Sequence, residues 1–355
     1  MSWYKKEARD LPWRREPSPY GIWVSEMMLQ QTRVETVIPY YQRFMEIYPD
    51  VSSLANASEE QLLKIWQGLG YYARARNLKN GAQVVMEHYG GRLPEEREEL
   101  LKIPGIGPYV SAAIASMAFQ KKEASLDGNL YRVLSRVSLW EKDINQVHSK
   151  RALGLVAQEM MPQERPGDFN QALMDLGAAV CLANRVPLCE KCPIIRHCKA
   201  HSQGKTDCIP VKTKKKPRKI LYKTVFLIQF ENQVILVKRP DKGLLAGLWE
   251  FPNVEGHLSK KGAMKFLKEG GILTESTEET CPDEILEEIT FSKHIFSHQE
   301  WHMIGYQVTS SEQHPFTGKE PYLNWQWVKV EALVHSYSIP SAFRDYMEIV
   351  EGKNI

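Results

Sequence analysis

The sequence predicts a multidomain chain in which an all-α N-terminal domain is followed by an α+β C-terminal domain. Three observations carry this reading. Up to about Ser202 the apolar residues recur at three and four, as in Val24, Met27 and Met28, or Val133, Leu134 and Val137, with no convincing strand between them. After a basic run (Lys212, Lys214, Lys215, Lys216, Arg218, Lys219) the pattern becomes β-branched and apolar. At 355 residues the chain also exceeds what one core usually holds. The expected division is residues 1–202, a basic linker over 203–221, and residues 222–355.

Bulk properties exclude little else. The charged share of 25% and hydrophobic share of 43% are those of a soluble globular protein, and a net charge of +3 does not by itself mark a nucleic-acid binder. The opening MSWYKKEARDLPWRRE lacks the apolar core of a secretory signal, and the apolar stretch Tyr109 to Phe119 is too short to span a bilayer. A cytoplasmic protein without a membrane partner is expected.

The strongest local pattern is LLKIPGIGPYVS, residues 100–111. Leu100, Leu101 and Ile103 close one helix, Pro104-Gly105-Ile106-Gly107 makes a tight turn, and Pro108 suits the first turn of the next helix. Glycines at 105 and 107 let backbone N–H groups approach a ligand, and at a helix N-terminus these donors suit an anion such as a DNA phosphate. Asp127 follows in SLDGNL and on its own reads equally as a helix N-cap. Glu26 lies among Val24, Met27, Met28 and Leu29. Apolar surroundings would raise its pKa and keep a proton available for general acid work, although on composition alone a solvated helix glutamate is the better reading.

Four of the six cysteines, Cys181, Cys189, Cys192 and Cys198, crowd into the spacing C-x7-C-x2-C-x5-C, which points to metal; the ligands alone suit zinc or iron–sulfur. Cys208 and Cys281 stand apart. In the C-terminal half, Thr224–Phe230 and Val234–Arg239 read as a hairpin about Glu231-Asn232. Further strands are expected at His302–Val308 and Trp325–Val330, and helices at Lys260–Lys268 and Ser341–Val350.

The hairpin with Asp127 resembles the helix-hairpin-helix DNA glycosylase superfamily, and SEMMLQQT (residues 25–32) with GLGYYARARNL (residues 68–78) is similar to its adenine DNA glycosylases, the MutY type. The resemblance runs in order through nearly the whole chain. It implies that Glu26 protonates adenine at N7 and that Asp127 stabilises the sugar cation or attacks it transiently, with Asn129 orienting the carboxylates. Strand-cutting sister enzymes carry a lysine where this chain has Tyr109, so a monofunctional enzyme is expected. Trp13, Arg14, Leu29 and Gln171 would line the adenine pocket. Gln30, Gln31, Thr32, Tyr71, Gly105 and Gly107 would contact DNA, with Gln31 and Tyr71 wedging into the duplex.

The same resemblance implies a [4Fe–4S] cluster on the four cysteines, although the family spacing is C-x6-C-x2-C-x5-C and this chain has one residue more in the first gap. GLLAGLWEFPNVEG (residues 243–256) looks like the Nudix-type C-terminal domain of these enzymes. The helix after it is rich in lysine, with Glu269 its one acid, so a Mg²⁺-dependent hydrolase is not expected. Phe296, Ser297 and His298 would read 8-oxoguanine opposite the adenine. The expected substrate is double-stranded DNA bearing adenine opposite 8-oxoguanine or guanine, met by a monomer in a bacterial-type cytoplasm at the nucleoid. An endonuclease III-type enzyme for oxidised pyrimidines and a non-catalytic damage-binding protein are the alternative readings.

Overall fold

Proline and capping residues set where the helices begin. The computed structural model describes residues 1–213, 217–269, 286–309 and 325–352; Lys214, Lys215, Lys216, Gly270 and Cys281 lie outside the described residues. The helices are α1 (Ser2–Glu7), α2 (Pro12–Arg15), α3 (Pro19–Leu29), α4 (Val34–Ile47), α5 (Val51–Ala55), α6 (Glu59–Trp66), α7 (Ala73–Tyr89), α8 (Arg97–Leu100), α9 (Pro108–Met117), α10 (Gly128–Ser138), α11 (Val147–Met160), α12 (Pro166–Ala179) and α13 (Lys199–Ser202). Proline opens α2, α3, α9 and α12, where its missing N–H has no partner to lose. Ser18, Asp50, Ser58 and Asp127 cap α3, α5, α6 and α10 through their side chains.

The chain packs as two units: Met1–Ala57 with Ala73–Lys215, and Ser58–Tyr72 with Lys216–Ile355. In the first, α3 packs against α4, α7 and α9, while α9 and α10 both pack on α12. Every residue of α3 from Tyr20 to Met28 is buried, as expected of a helix apolar nearly all round. Of the basic stretch 203–221, Ile209 is buried, and its carbonyl accepts from Arg136 Nε at 2.8 Å. Ile144 N–H donates to the carbonyl of Val211, and the first strand already begins at Lys219.

The second unit is built on a seven-stranded sheet: β1 (Lys219–Phe230), β2 (Gln233–Lys238), β3 (Trp249–Glu250), β4 (Asn253–Glu255), β5 (Leu286–Ile295), β6 (Gln299–Thr309) and β7 (Trp325–Lys329). β1 runs parallel to β6 along its length, with Val225 beside Gly305. Alternation along β1 feeds two cores. Val225 and Leu227 join Trp301, Phe343 and Tyr346 on one face; Phe226 and Ile228 join Tyr306 and the helix Lys260–Glu269 on the other. The β1–β2 hairpin turns at Glu231, whose φ is 49°. β5 was not legible in the sequence because a bulge between Glu288 and Phe291 breaks its alternation. The two-residue β3 and three-residue β4 are too short for any period to show. Among the described residues no helix is long and apolar enough to cross a membrane.

Candidate active site

A cavity of about 590 Å³ opens in the first unit. Glu26, Tyr109, Asp127, Asn129, Trp13, Arg14, Leu29, Gln171, Gln30, Gln31 and Thr32 all line it, brought together from α2, α3, the turn after α3, α9, α10 and α12. Gly105 and Gly107 lie in the hairpin between α8 and α9 and are not among its lining residues. Tyr71, half-exposed with φ 49°, belongs to the second unit, as do Phe296, Ser297 and His298.

Glu26 sits on the fully buried turn of α3 and is 4% exposed. Its Oε2 accepts a 2.5 Å hydrogen bond from Tyr109 Oη. Burial pushes its carboxyl up to about 7; the Tyr109 hydroxyl opposes this, the nearby Asp127 carboxylate adds to it and Arg14 subtracts. The acid is therefore half protonated near neutrality.

Asp127 is both an N-cap and a cavity residue, so its two readings are not alternatives. Its Oδ1 accepts from Leu130 N–H at 2.7 Å, capping α10, and its Oδ2 accepts from Asn129 Nδ2 at 2.6 Å. Burial raises its pKa, and those two donors with Arg132 work against the rise. Asn129 is held in turn by Arg132, whose Nη2 donates to Asn129 Oδ1 at 2.8 Å and to the Gly177 carbonyl at 2.7 Å. Gly177 admits this contact: a Cβ there would lie 2.6 Å from Cβ of Asn129. Arg132 Nε reaches the Cys181 carbonyl and Arg136 Nη1 the Cys181 sulfur, so the cysteine loop is tied to α10.

Asp175, which the sequence reading did not single out, anchors the cavity's outer wall. It is 1% exposed, and its carboxylate accepts both Nη groups of Arg14, at 2.7 and 3.0 Å, and Arg9 Nε at 2.6 Å. Burial acts to raise its pKa, but the hydrogen bonds and charges of Arg14 and Arg9 outweigh it and hold the carboxyl below its usual range. Arg14 thus reaches the cavity as half of a forked ion pair. Tyr4 Oη donates to Gln171 Oε1 at 3.2 Å. The signal for Asp175 was its place between Met174 and Leu176, the same kind of apolar frame that marked Glu26.

In the hairpin, Gly105 has φ 82°, and a Cβ there would meet Asn77 Cβ at 2.8 Å. Gly107 is different. Its φ is −90°, open to any residue, and the space a side chain would fill in front of α9 is empty. Its use is access, not dihedral freedom.

Cys181, Cys189, Cys192 and Cys198 are free thiols, all partly exposed, and line one small pocket with Arg136 and His201. Among the described residues no three His, Cys, Asp or Glu side chains are grouped closely enough for a single metal ion.

In the second unit the turn between β5 and β6 carries Phe296, Ser297 and His298. Phe296 packs edge-on against Trp301, centroids 4.9 Å apart, and its N–H donates to Gln299 O. Ser297 and His298 are exposed, with Ser297 Oγ 3.3 Å from His298 Nδ1.

Comparison with known proteins follows this division. The model of the HhH-GPD superfamily base excision DNA repair protein matches residues 24–158, and that of the NUDIX domain matches residues 224–348. The adenine DNA glycosylase of Rattus norvegicus is 35% identical over 405 residues, covering 99% of this chain and 78% of that protein. The adenine DNA glycosylase of Homo sapiens is 34% identical over 407 residues, covering 99% and 73%. Among solved structures, a thermostable thymine-DNA glycosylase superposes with a TM-score of 0.52 at 33% identity, covering 57% of this chain and 93% of that one.

Proposed function

The chain belongs to the adenine DNA glycosylases, and on that premise we propose that it hydrolyses the N-glycosidic bond of adenine paired with 8-oxoguanine, and more slowly with guanine, leaving an abasic site in an uncut strand. The observation that carries this reading is a buried carboxyl, Glu26, pushed up to about 7 by that burial, in the same cavity as a second buried carboxyl, Asp127.

Adenine is a poor leaving group as an anion. A proton from Glu26 to N7 lets the base depart neutral with the electron pair of the C1′–N9 bond. The sugar is left as a cation, which the Asp127 carboxylate offsets, and water then adds at C1′ with loss of a proton. Asn129 and the Leu130 N–H hold Asp127 in place for this. Strand cutting by a Schiff base requires an amine in the site. The position after the hairpin is Tyr109, its hydroxyl committed to Glu26, and among the described residues no lysine lines the cavity. The duplex would be gripped by backbone donors in front of α9, where Gly107 leaves room, and distorted by Gln31 and Tyr71. A monomer acting in the cytoplasm at the nucleoid goes with this reading.

The four cysteines line one pocket, where Cys181, Cys189, Cys192 and Cys198 would hold the [4Fe–4S] cluster that the family resemblance implies. When bound, the cluster would supply a rigid crosslink between the end of α12 and the segment before α13. The purified protein is expected to be brown, with iron by elemental analysis near four per chain; a colourless preparation containing zinc would overturn the assignment.

The second unit would act as the reader of the opposite base. Its helix Lys260–Glu269 offers only Glu269 as an acid, itself exposed beside Lys265, too little oxygen to hold Mg²⁺ on a pyrophosphate. Ser297 Oγ, exposed at the β5–β6 turn, can accept the N7–H that 8-oxoguanine has and guanine lacks. The test is single-turnover adenine release from duplexes pairing adenine with 8-oxoguanine or guanine. Wild type should release adenine faster from the first. Ser297→Ala should lower the ratio of the two rates by about fivefold, roughly one hydrogen bond, while changing the guanine rate little. No release by protein that binds the duplex would sink the enzyme reading; an unchanged ratio would move lesion reading elsewhere.

A further inference from the structure

Arg74, at the start of α7, is 6% exposed and spends its guanidinium on one turn of backbone. Nη1 donates to the carbonyls of Met27 at 2.8 Å, Met28 at 2.8 Å and Gln30 at 2.7 Å, and Nη2 reaches Thr32 Oγ1 at 3.3 Å. Two of these acceptors belong to the last turn of α3, whose carbonyls have no partner within the helix, and a cation there also suits the helix dipole. The third and fourth lie beyond the helix, on either side of Gln31, which stands in the left-handed region at φ 59°. A side chain other than glycine held at positive φ needs its surroundings to fix it.

Met27 and Met28 are each 1% exposed, so packing also holds the helix that carries Glu26. What the Arg74 fork adds is the path of Gln30, Gln31 and Thr32 as they leave the helix and turn into the cavity. We propose that Arg74 is a positioning residue that fixes the Gln30–Thr32 turn for duplex binding while leaving the proton transfer by Glu26 untouched. The duplex half of this inference rests on the adenine glycosylase reading; the ordering of the turn does not.

The test compares wild type with Arg74→Lys, which keeps a cation for the carbonyls but loses the planar fork to Thr32. Hydrogen exchange of the peptide over residues 29–33 should accelerate, with α9 unchanged. Affinity for the adenine:8-oxoguanine duplex, measured in a Glu26→Gln background, should weaken about tenfold, while the single-turnover rate at saturating enzyme should fall less than about threefold. Thr32→Val should weaken binding in wild type yet add less than about twofold to Arg74→Lys, the non-additivity expected of partners. Unchanged exchange over 29–33, or a rate that falls in step with affinity and thermal stability, would reduce Arg74 to a structural residue. Should wild type release no adenine at all, the functional reading fails, and the exchange measurement still decides whether Arg74 orders the turn.

Discussion

Glu26→Gln is expected to bind the adenine:8-oxoguanine duplex as wild type does and to release adenine at least about 10³-fold more slowly, within the range a general acid contributes. The amide fills the same volume and can still accept from Tyr109 Oη, so the fold should stand. It cannot give up a proton to N7. The pH profile gives the same residue a second signature. With its carboxyl pushed up to about 7, Glu26 is protonated below that pH and ionised above it, so the single-turnover rate should fall roughly tenfold per pH unit above neutrality. Asp127 must be ionised to offset the sugar cation. Its pKa is raised by burial, so an acid limb should appear at a higher pH than a free aspartate would give, making the profile a bell. Glu26→Gln should erase the alkaline limb from whatever rate remains; a variant with that limb intact would take Glu26 out of the acid's role.

Asp127→Asn is the second large effect. Asparagine caps a helix about as well as aspartate, so α10 and the fold should survive, and thermal melting should show it. On the proposed mechanism the charge that would offset the sugar cation is gone, and a loss of order 10³-fold in single-turnover rate is expected for removal of one such stabiliser. The substitution should also act on its neighbour. Asp127's charge helps raise the Glu26 carboxyl, so its removal should shift the alkaline limb to lower pH. A rate within about tenfold of wild type would leave Asp127 only its capping role.

The parts of this site that were readable from the sequence share a physical reason. Glu26 is a charge set in an apolar run, and a helix buried all round leaves such a charge nowhere to go but a cavity, whereas Asp127 stood out by its place after the hairpin. The Pro-Gly punctuation of the hairpin is local chemistry, visible in a dozen residues. What stayed hidden depends on distant parts of the chain. Nothing near Arg74 names Met27, Met28 and Gln30 as its acceptors, and nothing near Gly177 says that Asn129 will press on it. In the second unit the parallel pairing of β1 with β6 is a topological fact with no local signature, and the bulge in β5 removes the alternation that would have betrayed that strand. The expected division placed the segment Ser58–Tyr72 with residues 1–202, but it packs with the second unit, where Lys64 and Gln67 donate to the carbonyls of Tyr337 and Ile339.

Asp175 has a consequence for how the enzyme comes into being. The contacts that close the cavity wall, from Tyr4, Arg9 and Arg14 to Gln171 and Asp175, join residues 161 to 167 apart in sequence. The helices α1 and α2, six and four residues long, are too short to stand without packing on the rest of the domain. The pocket is therefore complete only where the two ends of the domain meet, and no single helix carries it.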